Sequence, residues 1–141
     1  MRQALSLTIV ETDPDYLGIE IRAWNERYAG TTFLYVGFGQ LTDFAAAIEG
    51  FPSSASDERQ YTLGSTSPRI AGGYCNLHFR TIDRAGHPVV DVEIHDDDGR
   101  YSKGKAALGI HVAATSIDRF VVRLRRIDEQ QYGNATLGQA A

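Results

Sequence analysis

His78, His95 and His111 fall in the same alternation phase as Glu93, so all four side chains would stand on one face if their segments are strands. Imidazoles on neighbouring strands with a carboxylate close by make a donor set that holds zinc with one open position. The stretch VEIHDDDGRY (92–101) adds three consecutive acids, Asp96–Asp98, which invite a calcium reading. Spacing argues against both. Each His belongs to a different segment, and no His-x-His or Cys-x-x-Cys pair anchors a metal. A calcium loop needs oxygen ligands at alternating positions and a distant bidentate Glu, whereas HDDDGRYSKGK runs its acids together and follows them with bases. Asp98-Gly99 is instead the turn pair of a hairpin tip. For nucleophilic chemistry the candidates are Cys75, whose alternation phase turns it inward, and Ser116, which sits where a helix should begin. Neither has a partner base in the pattern, and no phosphate-binding Gly loop or dinucleotide fingerprint occurs. The expectation is a chain with no catalytic residue, no cofactor and no bound metal.

The elements that would position these residues follow from periodicity. Ser6–Val10 is a short β-like run broken by the turn chemistry of Asp13-Pro14-Asp15. Tyr16–Trp24 alternates, with Leu17, Ile19, Ile21 and Ala23 on one side, and TTFLYVGF (31–38) reads as its hairpin partner. Leu41, Phe44, Ala45 and Ile48 then recur at helical spacing over Gln40–Glu49, stopped by Gly50 and Pro52. The Ser- and Gly-rich connection 52–72 is too long for a structureless loop, which predicts a short edge strand near Arg59–Leu63. Gly73–Ile82, Val89–His95 and Ala107–Ala113 alternate as three further strands. Thr115-Ser116-Ile117-Asp118 resembles a capping box, opening a helix over Ser116–Ile127 with Arg125 and Arg126 near its negative end.

Both halves therefore read β-β-β-α. Val36, Leu41, Phe44, Ile48 and Phe51 stand 76 positions before Val112, Ile117, Phe120, Leu124 and Ile127. The phrase IEIRAWNERY (19–28) matches VEIHDDDGRY at Glu20/Glu93, Ile21/Ile94, Arg27/Arg100 and Tyr28/Tyr101, 73 positions apart. The difference predicts three extra residues between the last two strands of the second half. The expected fold is α+β: one domain of two β-β-β-α pseudo-repeats, with antiparallel sheet covered by two helices. The repeats span about 5–51 and 73–127, with a linker at 52–72 and a flexible tail at 129–141.

Composition bounds the function. At 141 residues, 43% hydrophobic and 23% charged, the chain has the size and proportions of one ordinary globular domain. Its first apolar run is too short for a signal peptide or a membrane span. A lone cysteine rules out an internal disulfide and points to a reducing, cytoplasmic setting. A net charge of -4 favours basic partners over nucleic acid or an anionic membrane. On the outward faces, aromatic and charged side chains mix. They serve either as decoration chosen for β propensity or as a binding surface.

The order β-β-β-α twice, with the helix phrases QLTDFAAAIEGF and SIDRFVVRLRRI and the acidic charge, resembles the Wap-type immunity proteins and related neutralisers of contact-dependent bacterial toxins. The resemblance spans nearly the whole chain. It implies a non-enzymatic inhibitor that covers the active site of a secreted toxin domain, such as a nuclease. The expected contact residues for a basic toxin domain are Glu20, Trp24, Tyr28, Glu93, Asp96, Asp97, Asp98 and Tyr101. The layout is also similar to Pur-type and whirly-like single-strand nucleic-acid binders, whose repeats usually carry four strands. Their faces need cations beside stacking aromatics, and here Arg22 and Arg80 face Glu20, Asp91 and Glu93.

Overall fold

A computed structural model describes residues 2–67, 72–97, 99 and 101–138. Strands β1 (Ala4–Thr12), β2 (Leu17–Trp24) and β3 (Ala29–Val36) lead into helix α1 (Gln40–Ile48). Strands β4 (Arg59–Gly64), β5 (Tyr74–Thr81), β6 (Pro88–Asp97) and β7 (Lys103–His111) lead into helix α2 (Ala114–Gln130), and β8 (Gly133–Gly138) closes the described chain. The strands form two antiparallel four-stranded sheets, ordered β3-β2-β1-β8 and β4-β5-β6-β7. The fold is α+β, as periodicity predicts.

The alternating apolar residues do what their phase requires. Leu17, Ile19, Ile21 and Ala23 on β2, and Cys75, Leu77 and Phe79 on β5, are fully buried. They join Leu41, Phe44 and Ile48 of α1 and Ile117, Phe120 and Leu124 of α2 in one core. No helix among the described residues is long and apolar enough to cross a membrane.

The internal repeat is visible as an approximate two-fold arrangement, because residues 76 positions apart touch each other. The rings of Phe44 and Phe120 meet edge to face at 5.8 Å. A Cβ placed on Gly30 would lie only 2.6 Å from the Ala106 Cβ, so glycine is what lets β3 and β7 approach there. Contact between equivalent positions is what an approximate two-fold axis between the halves produces. The carbonyls of Phe33 and Gly109, again 76 apart, both accept across the junction, from the Gly73 amide at 2.7 Å and the Asn25 Nδ2 at 2.9 Å.

This spacing corrects the repeated phrase. Ile21 pairs with Thr32 and Val92 pairs with Leu108, so matching Thr32 to Leu108 matches Ile21 to Val92, 71 positions on. Glu20 therefore corresponds to Asp91 and not to Glu93. Trp24 opposite Ala29 corresponds to His95 opposite Lys105, which makes the β6–β7 hairpin beyond that pair five residues longer than the β2–β3 hairpin, not three. The textual match is two residues out of register.

Three further expectations change. Residues 133–138 are no flexible tail: β8 pairs with β1 from Ala4↔Gly138 to Ile9↔Gly133, and Ala135 and Leu137 are fully buried. Each sheet thus has four strands, β4 supplying the fourth in one and β8 in the other. Helix α2 begins at Ala114 behind an N-cap, Ala113, that makes no side-chain cap. Ser116 is not the cap; its hydroxyl accepts the Gly138 amide at 2.8 Å and ties β8 to the helix. Because α2 runs on to Gln130, Arg125 and Arg126 are not in its last turn, and Arg125 pairs with Glu49, the C-cap of α1, at 2.8 Å. Asp128 reaches from α2 to the start of α1. Its carboxylate accepts from the Gly39 amide at 3.1 Å, the Thr42 amide at 2.8 Å and the Thr42 hydroxyl at 2.7 Å.

Candidate interaction surface

Opposite its buried side, the β4-β5-β6-β7 sheet presents rows set by strand register. One row runs Gln60, His78, Asp91, Gly109; the next runs Thr62, Asn76, Glu93, Ala107; the next runs Gly64, Tyr74, His95, Lys105. His78 is held by Glu58 at 2.6 Å, His95 by Glu93 at 2.7 Å, and Arg80 pairs with Asp91 at 2.6 Å. His111 sits apart, opposite Val89, with its backbone amide donating to Gln3. The three imidazoles stand in different rows with different partners. Among the described residues no group of three or more His, Cys, Asp and Glu is placed to hold a metal ion. Cys75 lies wholly in the core, and burial pushes its thiol up to about 12.

The extra residues of the second half build an arm. Beyond the last row, β6 and β7 continue pairing through Asp96↔Gly104 and Asp97↔Lys103. Tyr101 at the tip is 94% exposed, the most exposed large hydrophobic residue described. The base of the arm borders an open cleft of about 520 Å3 lined by Ser65, Tyr74, His95, Asp97, Lys103 and Lys105. The Tyr74 and His95 rings meet at 4.8 Å on its wall.

The arm is not the bare carboxylate cluster that its sequence implies. Asp96 accepts from the Thr32 hydroxyl at 2.9 Å and is part of the junction between sheets. Asp97 accepts from the Gly99 amide at 2.8 Å and faces Lys103 at 3.8 Å. Asp98 lies outside the described residues. The other expected contact residues divide between the two sheets. Glu93 is on the outer face of β6, held by His95. Glu20 and Trp24 are on β2, and Tyr28 is in the β2–β3 hairpin, 64% exposed. Trp24 is half-buried, with the Arg22 guanidinium 5.6 Å from its ring.

The outer face of the β3-β2-β1-β8 sheet gathers residues not singled out as contacts from the sequence. Tyr16 meets Tyr35 edge to face at 4.8 Å, and Phe33 meets Tyr35 at 5.0 Å. Gly18 lies opposite Tyr35, and a Cβ there would stand 2.8 Å from the Phe33 ring, so the missing side chain makes room for Phe33 to lie across β2. Glu20 is opposite Phe33 and Glu11 is opposite Gly18. Asp13 and Asp15 follow in the adjoining turn, where Asp13 accepts the Asp15 amide at 3.2 Å. The Asp13 charge, with some burial and the Glu11 charge, raises the Tyr16 hydroxyl above its ordinary range. The usable sequence signal was the alternation Phe33-x-Tyr35 facing the acidic phrase ETDPDY.

No family model, curated protein or solved structure matches the chain. The class is therefore set by the fold alone: an α+β protein of two four-stranded antiparallel sheets joined about an approximate two-fold axis, with one lengthened hairpin.

Proposed function

We propose that this chain is a non-enzymatic binding protein of the cytoplasm that neutralises a basic toxin domain, the role of an immunity protein. The observation that carries the reading is the departure from internal symmetry. The fold closes the β2–β3 end with a short turn but extends the β6–β7 end by five residues, which carry exposed Tyr101 and frame a cleft. Tyr101, Ser102 and Lys103 of this extension are exposed. An aromatic tip on a two-stranded arm supplies an anchor, and the net charge of -4 draws a cationic partner towards the protein.

The test uses the C-terminal domain of a toxin encoded beside this gene, with association and dissociation measured at low and moderate salt. Tyr101→Ala should speed dissociation, and Trp24→Ala should do so if the β2 end shares the contact. Asp97→Lys should slow association and weaken its salt dependence. Indifference of both rates to all three substitutions would remove this surface, and absence of binding would remove the function.

Single-strand nucleic-acid binding is the second reading. Its support is the fourth strand in each sheet, which brings the unit to the strand number usual in the Pur-type and whirly-like layout. Charge opposes it, because the aromatic cluster of Tyr16, Phe33 and Tyr35 is bordered by carboxylates where phosphates would need cations.

A further inference from the structure

We infer that the outer face of the β3-β2-β1-β8 sheet is a second docking surface, and that it receives an arginine-bearing segment of a partner protein. The inference depends on the proposed function only for the partner's identity. Its centre is the set of rings Tyr16, Phe33 and Tyr35, each half-buried, locked edge to face at 4.8 and 5.0 Å. Phe33 is seated over Gly18, and the Phe33 carbonyl is held from the other sheet by the Gly73 amide. The platform is thus already formed, and little side-chain freedom is left to lose on binding.

Charge decides the occupant. Ion pairs elsewhere engage Glu49, Asp57, Glu58, Asp83, Asp91, Glu93 and Asp97. Glu11, Asp13 and Glu20 border the rings, Asp15 lies in the adjoining turn, and among the described residues none of the four forms an ion pair. The cation on the same face of β2 is Arg22, which is turned over Trp24. Rings ringed by unneutralised carboxylates repel phosphate and attract guanidinium. Arginine fits better than lysine because its planar group stacks on an aromatic face while its edge forks a carboxylate.

The experiment titrates 15N-labelled full-length protein with a ten-residue Arg-Gly peptide, its Lys-Gly counterpart and an oligothymidylate. The expected result is saturable amide shifts at Gly18, Glu20, Phe33 and Tyr35 with the arginine peptide, and binding several-fold weaker with lysine. A triple variant, Glu11→Gln, Asp13→Asn and Asp15→Asn, should weaken the arginine peptide about tenfold, and Tyr35→Leu should do the same with the charges intact. Shifts centred on the β6–β7 arm, equal affinity in wild type and both variants, or oligothymidylate bound on this face would each overturn the inference. The two proposals fail separately. Arginine-peptide binding without any toxin-domain binding supports this surface and removes the toxin reading. A toxin domain held equally well by wild type and the triple variant removes this surface as its contact and leaves the toxin reading standing.

Discussion

Replacing Asp128 by Ala should loosen the start of α1 although Asp128 belongs to α2. Its side chain is nearly enclosed, the residue being 7% exposed, and its two oxygens accept three hydrogen bonds from Gly39 and Thr42. Two of the donors are backbone amides at a helix N-terminus, which no intrahelical carbonyl can satisfy. Gly39, the N-cap, has no side chain of its own to offer, and its φ of 88° is a conformation that suits glycine. Asp128 thus acts as a cap supplied in space and not in sequence. A lost Asp cap costs about 0.5–2 kcal/mol, and each hydrogen bond to a charged group contributes about 1.5–3 kcal/mol. Three such bonds would exceed 4 kcal/mol, but Gly39 and Thr42 are exposed residues, so water replaces part of the loss. Removing the carboxylate also relieves its desolvation. We expect a net cost of about 2 kcal/mol for Asp128→Ala, a fall in melting temperature of about 4–8 °C for a domain of this size. Asp128→Asn, with one acceptor oxygen remaining, should cost about half as much. Equilibrium urea unfolding followed by circular dichroism measures both, and amide exchange at Gly39 and Thr42 reports the local effect. In the Asp128→Ala background, Thr42→Ala should add almost nothing, because its hydroxyl has already lost its acceptor. A cost below about 0.5 kcal/mol, or full additivity with Thr42→Ala, would refute the shared-cap argument.

Phe44→Ala and Phe120→Ala should each destabilise by about 3–5 kcal/mol in denaturant titrations, and Phe44 should be the costlier because it also stacks on Tyr61 at 4.7 Å. Since the two rings touch, the double variant should lose about 1 kcal/mol less than the two single losses combined. Ending the chain after Gln131 removes β8 with buried Ala135 and Leu137, and calorimetry should show loss of the cooperative transition; a melting point within 2 °C of the full chain, roughly the effect of 1 kcal/mol, would contradict the eight-strand fold. Hydrogen bonds from Arg59 and Ser53 hold Asp57 at about 2, below the ordinary 3.8, so its stabilisation is present above about pH 4 and is lost as pH falls through 2. Asp57→Asn should therefore cost about 1–2 kcal/mol at pH 7 and approach wild-type stability near pH 2, a convergence that unfolding curves across this range would detect.

Alternation alone identified the inward faces of β2, β5, β6 and β7, because a period of two is imposed by the pleat and survives any tertiary context. The helical spacing of Leu41, Phe44 and Ile48 and of Ile117, Phe120 and Leu124 placed both helices for the same kind of reason. That local logic cannot see register: sliding a strand by two residues leaves every side chain on its proper face. Glu20 therefore matched Glu93 in the text, whereas the paired strands match it to Asp91 and lengthen the β6–β7 arm to suit. Strand β8 was hidden because GNATLG carries only Ala135 and Leu137 as an apolar alternation between glycines. Its strand character comes from the β1 edge that it completes, a partner more than a hundred residues away. The same distance separates sequence from site. Acidic phrases are visible as text, but only the folded chain shows Asp96 drawn into the sheet junction and Asp97 set against Lys103. It also brings Glu11 and Glu20 together around three rings, where neither forms an ion pair among the described residues. Charge becomes a surface property only after tertiary contacts have chosen which carboxylates are neutralised at home.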